Sequence, residues 1–258
     1  IRLRQPQARM VFVTSKLLPE LVVDAVLELL PGVPISHARH RLKLFDTDDA
    51  SPRPLAAKLI ERPRLLQRIR QALNSERSYI SCFNVGGLER QLSETLQVPL
   101  LGTDPALAYW GSKAGSRELF TRCGLAHPDG SPLVHSFSEL VEACAELVER
   151  QPNLQRAVVK LNEGFSGEGN APLALDRLER SSGTALRNQL NERLEQLAMP
   201  AAGWQELLVN QGALVEAWLS GGDELSSPSV QGMIHPGGHV EVLSTHEQLL
   251  GGASGQTY

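Results

Sequence analysis

The stretch from Arg156 to Asp176, RAVVKLNEGFSGEGNAPLALD, restricts the possible fold more than any other: two short apolar runs flank a glycine-rich turn, and the first run contains a lysine. Runs of this length form strands, whose side chains alternate between two faces. Val159 and Leu161 then point into a core, while Val158 and Lys160 point the other way and bring an ammonium beside the turn. Gly164, Gly167 and Gly169 free the turn to adopt positive φ and let backbone N–H groups approach an anion, and Ser166 adds a hydroxyl donor. These residues fit a lid over a polyphosphate. They equally fit a plain hairpin whose tip and lysine face solvent.

Three better-known motifs are excluded. A Walker loop needs Gly-Lys-Ser/Thr at a helix entrance, and neither this turn nor Gly111–Arg117 has it. A dinucleotide fingerprint fails because Pro172 stands where the third glycine belongs and a strand follows instead of a helix. Glu168 occupies the second glycine position of a nucleophile elbow in Gly164-Phe-Ser166-Gly167, which argues against a serine hydrolase.

A chain of 258 residues is long enough for two compact domains, and 41% hydrophobic with 21% charged residues is an ordinary globular balance. No apolar run reaches the roughly 18 residues a membrane span needs. A net charge of −4 argues against general nucleic-acid binding. The basic cluster Arg62, Arg64, Arg68 and Arg70 alternates with Leu65, Leu66, Ile69 and Leu73 and reads as the wet side of an amphipathic helix. Cys82, Cys123 and Cys144 are odd in number and widely spaced, so a reducing cytoplasm is expected in place of a disulfide framework or zinc site. A start at Ile1 and a glycine-rich close at Tyr258 are expected of an excerpt from a longer protein.

The first hundred residues alternate strand and helix. Strands are expected at Met10–Thr14, Arg41–Phe45, Tyr79–Val85 and Val98–Leu101. Helices are expected from Pro19 to Leu30, in two pieces divided by Pro63, and over Leu88–Leu96. Such βαβ alternation implies a parallel sheet with helices on both faces. Gly86-Gly87 is a weak phosphate signal, and His37 with His40 reads as a pair of surface or packing histidines. A boundary falls near Gly102–Pro105, after which Asp104 and Pro105 start a helix carrying Lys113, Ser116 and Arg117. Ser136 with Glu139 makes a capping box, and Leu186, Leu190, Leu194 and Leu197 mark another amphipathic helix. In Gly212–Leu219, Glu216 interrupts an apolar strand, and its desolvation requires a partner such as a lysine or an adenine amino group unless it lies at a wet sheet edge. Ser229–Ile234 and Val240–Ser244 form a hairpin, and Thr245–Gln248 leads into a polar loop.

Lys113 on a helix, Lys160 on a strand, the glycine hairpin and the VEAWL strand follow the order of an ATP-grasp fold. The segments LLPGVPISHARHRL, ERPRLLQRIR, GTDPALAYWGSKAGSRELF, AVVKLNEGFSGEGNA, and SPSVQ with LSTHEQLLGGASGQ resemble ATP-grasp carboxylate–amine ligases related to the pheganomycin-type peptide ligase. The resemblance spans nearly the whole chain. It implies an α/β architecture in which a Rossmann-like pre-ATP-grasp domain, residues 1–103, precedes an incomplete ATP-grasp domain, residues 104–258. It also implies a reaction: ATP phosphorylates a carboxylate, and an amine, from an amino acid or peptide, displaces phosphate to give an amide and ADP.

Carried onto this sequence, the resemblance implies that Lys113 and Lys160 hold the α- and β-phosphates. The amides of Ser166, Gly167 and Gly169 would close over the terminal phosphates. Glu216 would accept from the adenine amino group, and the backbone of Ala217, Trp218 and Leu219 would line the base edge. Glu224 or Asp223 would bind ribose. Ala217 stands where relatives often carry a second acid. Mg²⁺ is the implied cofactor, with its ligands expected on strands beyond Tyr258. Two rival readings are a nucleotide-binding module without chemistry and an oxidoreductase; the missing dinucleotide fingerprint weighs against the second.

Overall fold

The structure is a computed structural model that describes residues 2–164, 169–219 and 226–249. The chain divides into two compact units, Ile1–Ala108 and Tyr109–Tyr258.

In the first unit, β1 (Met10–Thr14) pairs in parallel with β2 (Leu42–Asp46), residue for residue from Met10↔Leu42 to Thr14↔Asp46. A parallel pair needs a crossover. Here α1 (Glu20–Glu28) and α2 (Ile35–His40) supply it, separated by Gly32 at φ +74°. Next come α3 (Leu55–Ile60) and α4 (Pro63–Ala72), the latter with Pro63 in its first turn, where a missing N–H costs nothing. Leu66 and Ile69 of α4 are buried while Arg64, Arg68 and Arg70 are exposed, as the amphipathic pattern predicts. His37 and His40 of α2 are also exposed. A second parallel pair, β3 (Ile80–Ser81) with β4 (Leu100–Leu101), brackets α5 (Gly87–Leu96).

The four expected strands pair in parallel but not as one sheet: among the described residues β1–β2 and β3–β4 are separate ladders. The run expected over Tyr79–Val85 shrinks to two residues because its partner is short. Pro99 offers a carbonyl to the Ile80 amide (2.8 Å) but has no N–H, and past Leu101 the Gly102 backbone lies against the Val85 side chain, 2.5 Å from any added Cβ. Ala56, Leu59, Leu66, Ile69, Leu92, Leu96 and Val98 form one core, and Leu3, Val23, Leu27 and Ala38 a smaller one. Lys58, 1% exposed, ties the loops after β1 and β2 by donating to Ser15 Oγ (3.0 Å) and to the carbonyls of Asp49 (2.8 Å) and Ser51 (2.6 Å).

The second unit opens with a 3₁₀ turn, Pro105–Gly111, which begins in the first unit's last residues, and then α6 (Lys113–Arg122). The sequence predicts one helix from Pro105. It breaks at Ser112, whose hydroxyl accepts from the Gly115 amide (3.1 Å), because Gly115 packs on the preceding turn: a Cβ there would lie 1.9 Å from the Tyr109 carbonyl oxygen. Helix α7 (Phe137–Arg150) has the expected capping box. Ser136 Oγ accepts from the Glu139 amide (3.2 Å), and the Glu139 carboxylate accepts from the Ser136 amide (3.0 Å). Ser136→Ala is therefore expected to cost about 1 kcal/mol. A lower urea midpoint at constant slope would register it, and an unmoved midpoint would show that the cap contributes nothing.

The glycine-rich turn joins β5 (Arg156–Leu161) to an antiparallel β6 (Asn170–Ala174), with Lys160↔Asn170 nearest the turn. β7 (Ala213–Ala217) pairs antiparallel on the other side of β5. On one face of this sheet pack α7, α8 (Gly183–Glu195) and α9 (Trp204–Gln211), burying Leu140, Leu147, Val159, Leu161, Leu190, Leu194 and Val215 together. The sequence reading does not include α9; it lies between Gly203 and Gly212, both at positive φ. β8 (Pro228–Ile234) and β9 (Val240–Glu247) form a separate antiparallel hairpin. Thr245, His246 and Glu247 belong to β9, so ladder pairing with Val230, Ser229 and Pro228 replaces the polar loop expected there.

Candidate functional site

Strand alternation places Ala157, Val159 and Leu161 of β5, with Ala213 and Val215 of β7, in the helix-covered core. Lys160 and Glu216 therefore share the opposite face. The register pairs Val158 with Glu216 and Lys160 with Leu214, which makes lysine and glutamate diagonal neighbours. Lys160 Nζ is ion-paired with Glu216 Oε2, and Arg117 Nη1 of α6 donates to Glu216 Oε1 at 2.8 Å. The Glu216 side chain is only 8% exposed. Burial alone would raise its pKa, but the charge and hydrogen bond of Lys160 and the hydrogen bond and charge of Arg117 outweigh it, and the carboxyl is held below its ordinary range. The partner required by a carboxylate inside an apolar strand is thus a lysine of this chain, joined by an arginine.

Helix α6 is fastened to the end of β5. Asn162 accepts from the Lys113 amide through its carbonyl (3.3 Å) and from the Ala114 amide through Oδ1 (3.0 Å). Lys113, first residue of α6, donates from Nζ to the Leu161 carbonyl (2.8 Å), and a Cβ on Gly164 would stand 3.7 Å from that ammonium. Lys113 thus sits where β5 enters the glycine turn. Its pKa is lowered, first by burial and then by the charge of Lys160, against the opposing pull of Glu216 and Glu163. Lys160 and Arg117 share one buried carboxylate, and the Lys113 ammonium, held by the Leu161 carbonyl, feels the repulsion of Lys160. A multiply charged anion such as a polyphosphate would relieve that repulsion, so these donors fit one.

Of the residues singled out from sequence, the structure brings Lys113, Lys160 and Glu216 together. Gly169 lies at the foot of the turn, where its carbonyl accepts from the Leu161 amide (2.8 Å). Ala217 ends β7 and Trp218 follows it, and their amides donate to the Asp129 (2.7 Å) and Arg156 (3.1 Å) carbonyls. The Trp218 ring lies under the Arg156 guanidinium at 4.6 Å, and Leu219 is exposed. Ser166, Gly167, Asp223 and Glu224 lie outside the described residues. Sequence reasoning assigned no role to Arg117 or Asn162. Arg117 lies four residues after Lys113 and so on the same helix face, a spacing that signals it; Asn162 carries no such signal.

Among the described residues no group of three or more His, Cys, Asp or Glu side chains is placed to hold a metal ion, and no helix is long and apolar enough to cross a membrane. Cys82, Cys123 and Cys144 are free thiols.

Residues 105–202 match the family model described as IQCH-like, ATP-grasp. L-propargylglycine–L-glutamate ligase from Streptantibioticus cattleyicolor is 30% identical over 259 residues, covering 97% of this chain and 52% of that protein. IQ motif-containing protein H from Danio rerio is 26% identical over 229 residues, covering 76% of this chain and 22% of that protein. The chain thus spans about half of the first curated relative and less of the second. The crystal structure of D-alanyl-alanine synthetase A from Vibrio cholerae O1 biovar eltor aligns with a TM-score of 0.49 at 11% identity, over 98% of this chain and 70% of that one.

Proposed function

We propose that the chain belongs to an ADP-forming ATP-grasp ligase joining a carboxylate to an amine, a reading supported by the match of residues 105–202 to an ATP-grasp family model. The observation that carries the reading is the pairing of Lys160 and Arg117 with one buried glutamate, with the Lys113 ammonium beside them at the start of a glycine turn. Lys113 and Lys160 hold the α- and β-phosphates of ATP. The turn, with the amides of Ser166, Gly167 and Gly169, covers the terminal phosphates. Glu216 accepts from the adenine amino group; its oxygens already bond Lys160 and Arg117, and a carboxylate oxygen has a second lone pair for a further donor. The backbone of Ala217, Trp218 and Leu219 lines the base, and Glu224 or Asp223 holds the ribose. Residues 1–103 act as the pre-ATP-grasp domain and 104–258 as the ATP-binding one.

In the reaction, a carboxylate oxygen attacks the γ-phosphorus and the bond to the β-phosphate oxygen breaks, giving an acyl phosphate and ADP. The amine nitrogen then attacks the acyl carbon, phosphate leaves, and the nitrogen loses a proton. Positioning and charge neutralisation supply most of the acceleration in such transfers. Mg²⁺ would add to the neutralisation when bound, though among the described residues no group of three or more His, Cys, Asp or Glu side chains is placed to hold it. An amino acid or peptide is the proposed acid and amine, in keeping with the name of the Streptantibioticus relative, and the free thiols suit a reducing cytoplasm.

The expected result is ADP release that requires ATP, an acid and an amine together, followed in a coupled assay against a panel of amino acids and dipeptides. ATP turnover indifferent to both substrates would refute the ligase. The IQCH-like character of the matched model favours one second reading, a nucleotide-binding module without the chemistry. That reading predicts ATP binding with no substrate-dependent ADP.

A further inference from the structure

We propose that Arg117 is a positioning residue that holds one oxygen of Glu216 so that Lys160 is free to leave the other for a phosphate. This rests on the reading of the Lys113–Lys160 face as a polyphosphate site.

Glu216 has two partners of different character. Arg117 is fixed: Nη1 donates to Glu216 Oε1 and to the Pro128 carbonyl, both at 2.8 Å, and a Cβ on Gly130 would lie 3.0 Å from its Nη2. Its side chain is 14% exposed, against 25% for Lys160. A planar guanidinium bonded at two points has one geometry, whereas an ammonium on a four-carbon stem can turn to a new partner. Lys160 is therefore the partner that can move.

For Lys160 to reach a phosphate, Glu216 must tolerate its departure. A buried carboxylate stripped of its sole counter-charge is strongly disfavoured. Arg117 prevents that, since it keeps Oε1 paired after Oε2 is vacated. Without Arg117, Glu216 would depend on Lys160 alone and hold it back from any anion. Arg117 thus shapes phosphate affinity without touching phosphate, and it acts from the helix that carries Lys113.

The test is a double-mutant cycle on Arg117→Met and Glu216→Gln, read by calorimetric titration with inorganic tripolyphosphate, which lacks a base. Arg117→Met is expected to weaken tripolyphosphate about tenfold, the scale of one lost charge-assisted contact. Adding Glu216→Gln should restore the affinity to the wild-type level or above, because a neutral amide no longer retains Lys160. A role in folding alone would leave the double variant as weak as the single one, and that result would overturn the proposal. Undiminished binding by Arg117→Met would overturn it too, while leaving the site reading intact. No tripolyphosphate or ATP binding by the wild type would overturn both. If Arg117→Met does not fold, Arg117→Gln takes its place: it keeps amide donors for the Pro128 carbonyl and Glu216 but loses the charge, and the same outcomes apply.

Discussion

Lys160→Ala is expected to weaken ATP binding by about 1.5 to 3 kcal/mol, roughly ten- to a hundredfold, the worth of a charge-assisted contact between an ammonium and a phosphate. Two features of the site bear on the magnitude. Removing Lys160 relieves the like charge that lowers the Lys113 pKa, so Lys113 regains part of its own hold on the anion. Glu216 keeps its bond to Arg117, so the sheet is expected to stay folded and the loss to be specific to binding. Isothermal titration of ATP with the variant, alongside near-ultraviolet circular dichroism, measures both. Wild-type affinity in a folded variant would sink the phosphate assignment.

The largest loss of stability is expected from Leu190→Ala. Leu190 is fully buried on α8 in the core shared with α7 and the β6–β5–β7 sheet. Truncating a leucine there removes its transfer free energy and leaves a cavity, at a cost of about 2–5 kcal/mol. Val209→Ala on α9, at a residue 62% exposed, is the matched control and should stay within about 0.5 kcal/mol of wild type. Urea unfolding of the two variants compares them directly. Equal midpoints would show that this core is not where the unit's stability resides.

Much of the second unit is legible in the sequence because its signals are local. The two-residue period of Val158 to Leu161 fixes which way Lys160 points before any partner is known, and Ser136 with Glu139 marks the start of α7 to the residue. The buried Glu216 announces that it needs a counter-charge. What sequence does not disclose is tertiary. Arg117 and Glu216 are 99 positions apart, and nothing in either segment names the other. The break at Ser112 depends on Gly115 meeting the Tyr109 carbonyl, a contact that exists only once the chain is folded. In the first unit, alternation announces parallel strands but not which ones bond, and the short β3 and β4 follow from Pro99 and Gly102.

Asn162 has a consequence of a different kind. Its main chain and its side chain each accept an amide from the first turn of α6, those of the consecutive residues Lys113 and Ala114, so helix and strand are joined by two bonds at one place. The backbones that carry Lys113 and Lys160 are thereby mounted on one frame, whatever the two side chains then reach for. If the proposed polyphosphate site holds, a joint of this kind would favour ligands that carry negative charge at more than one point over a single phosphate.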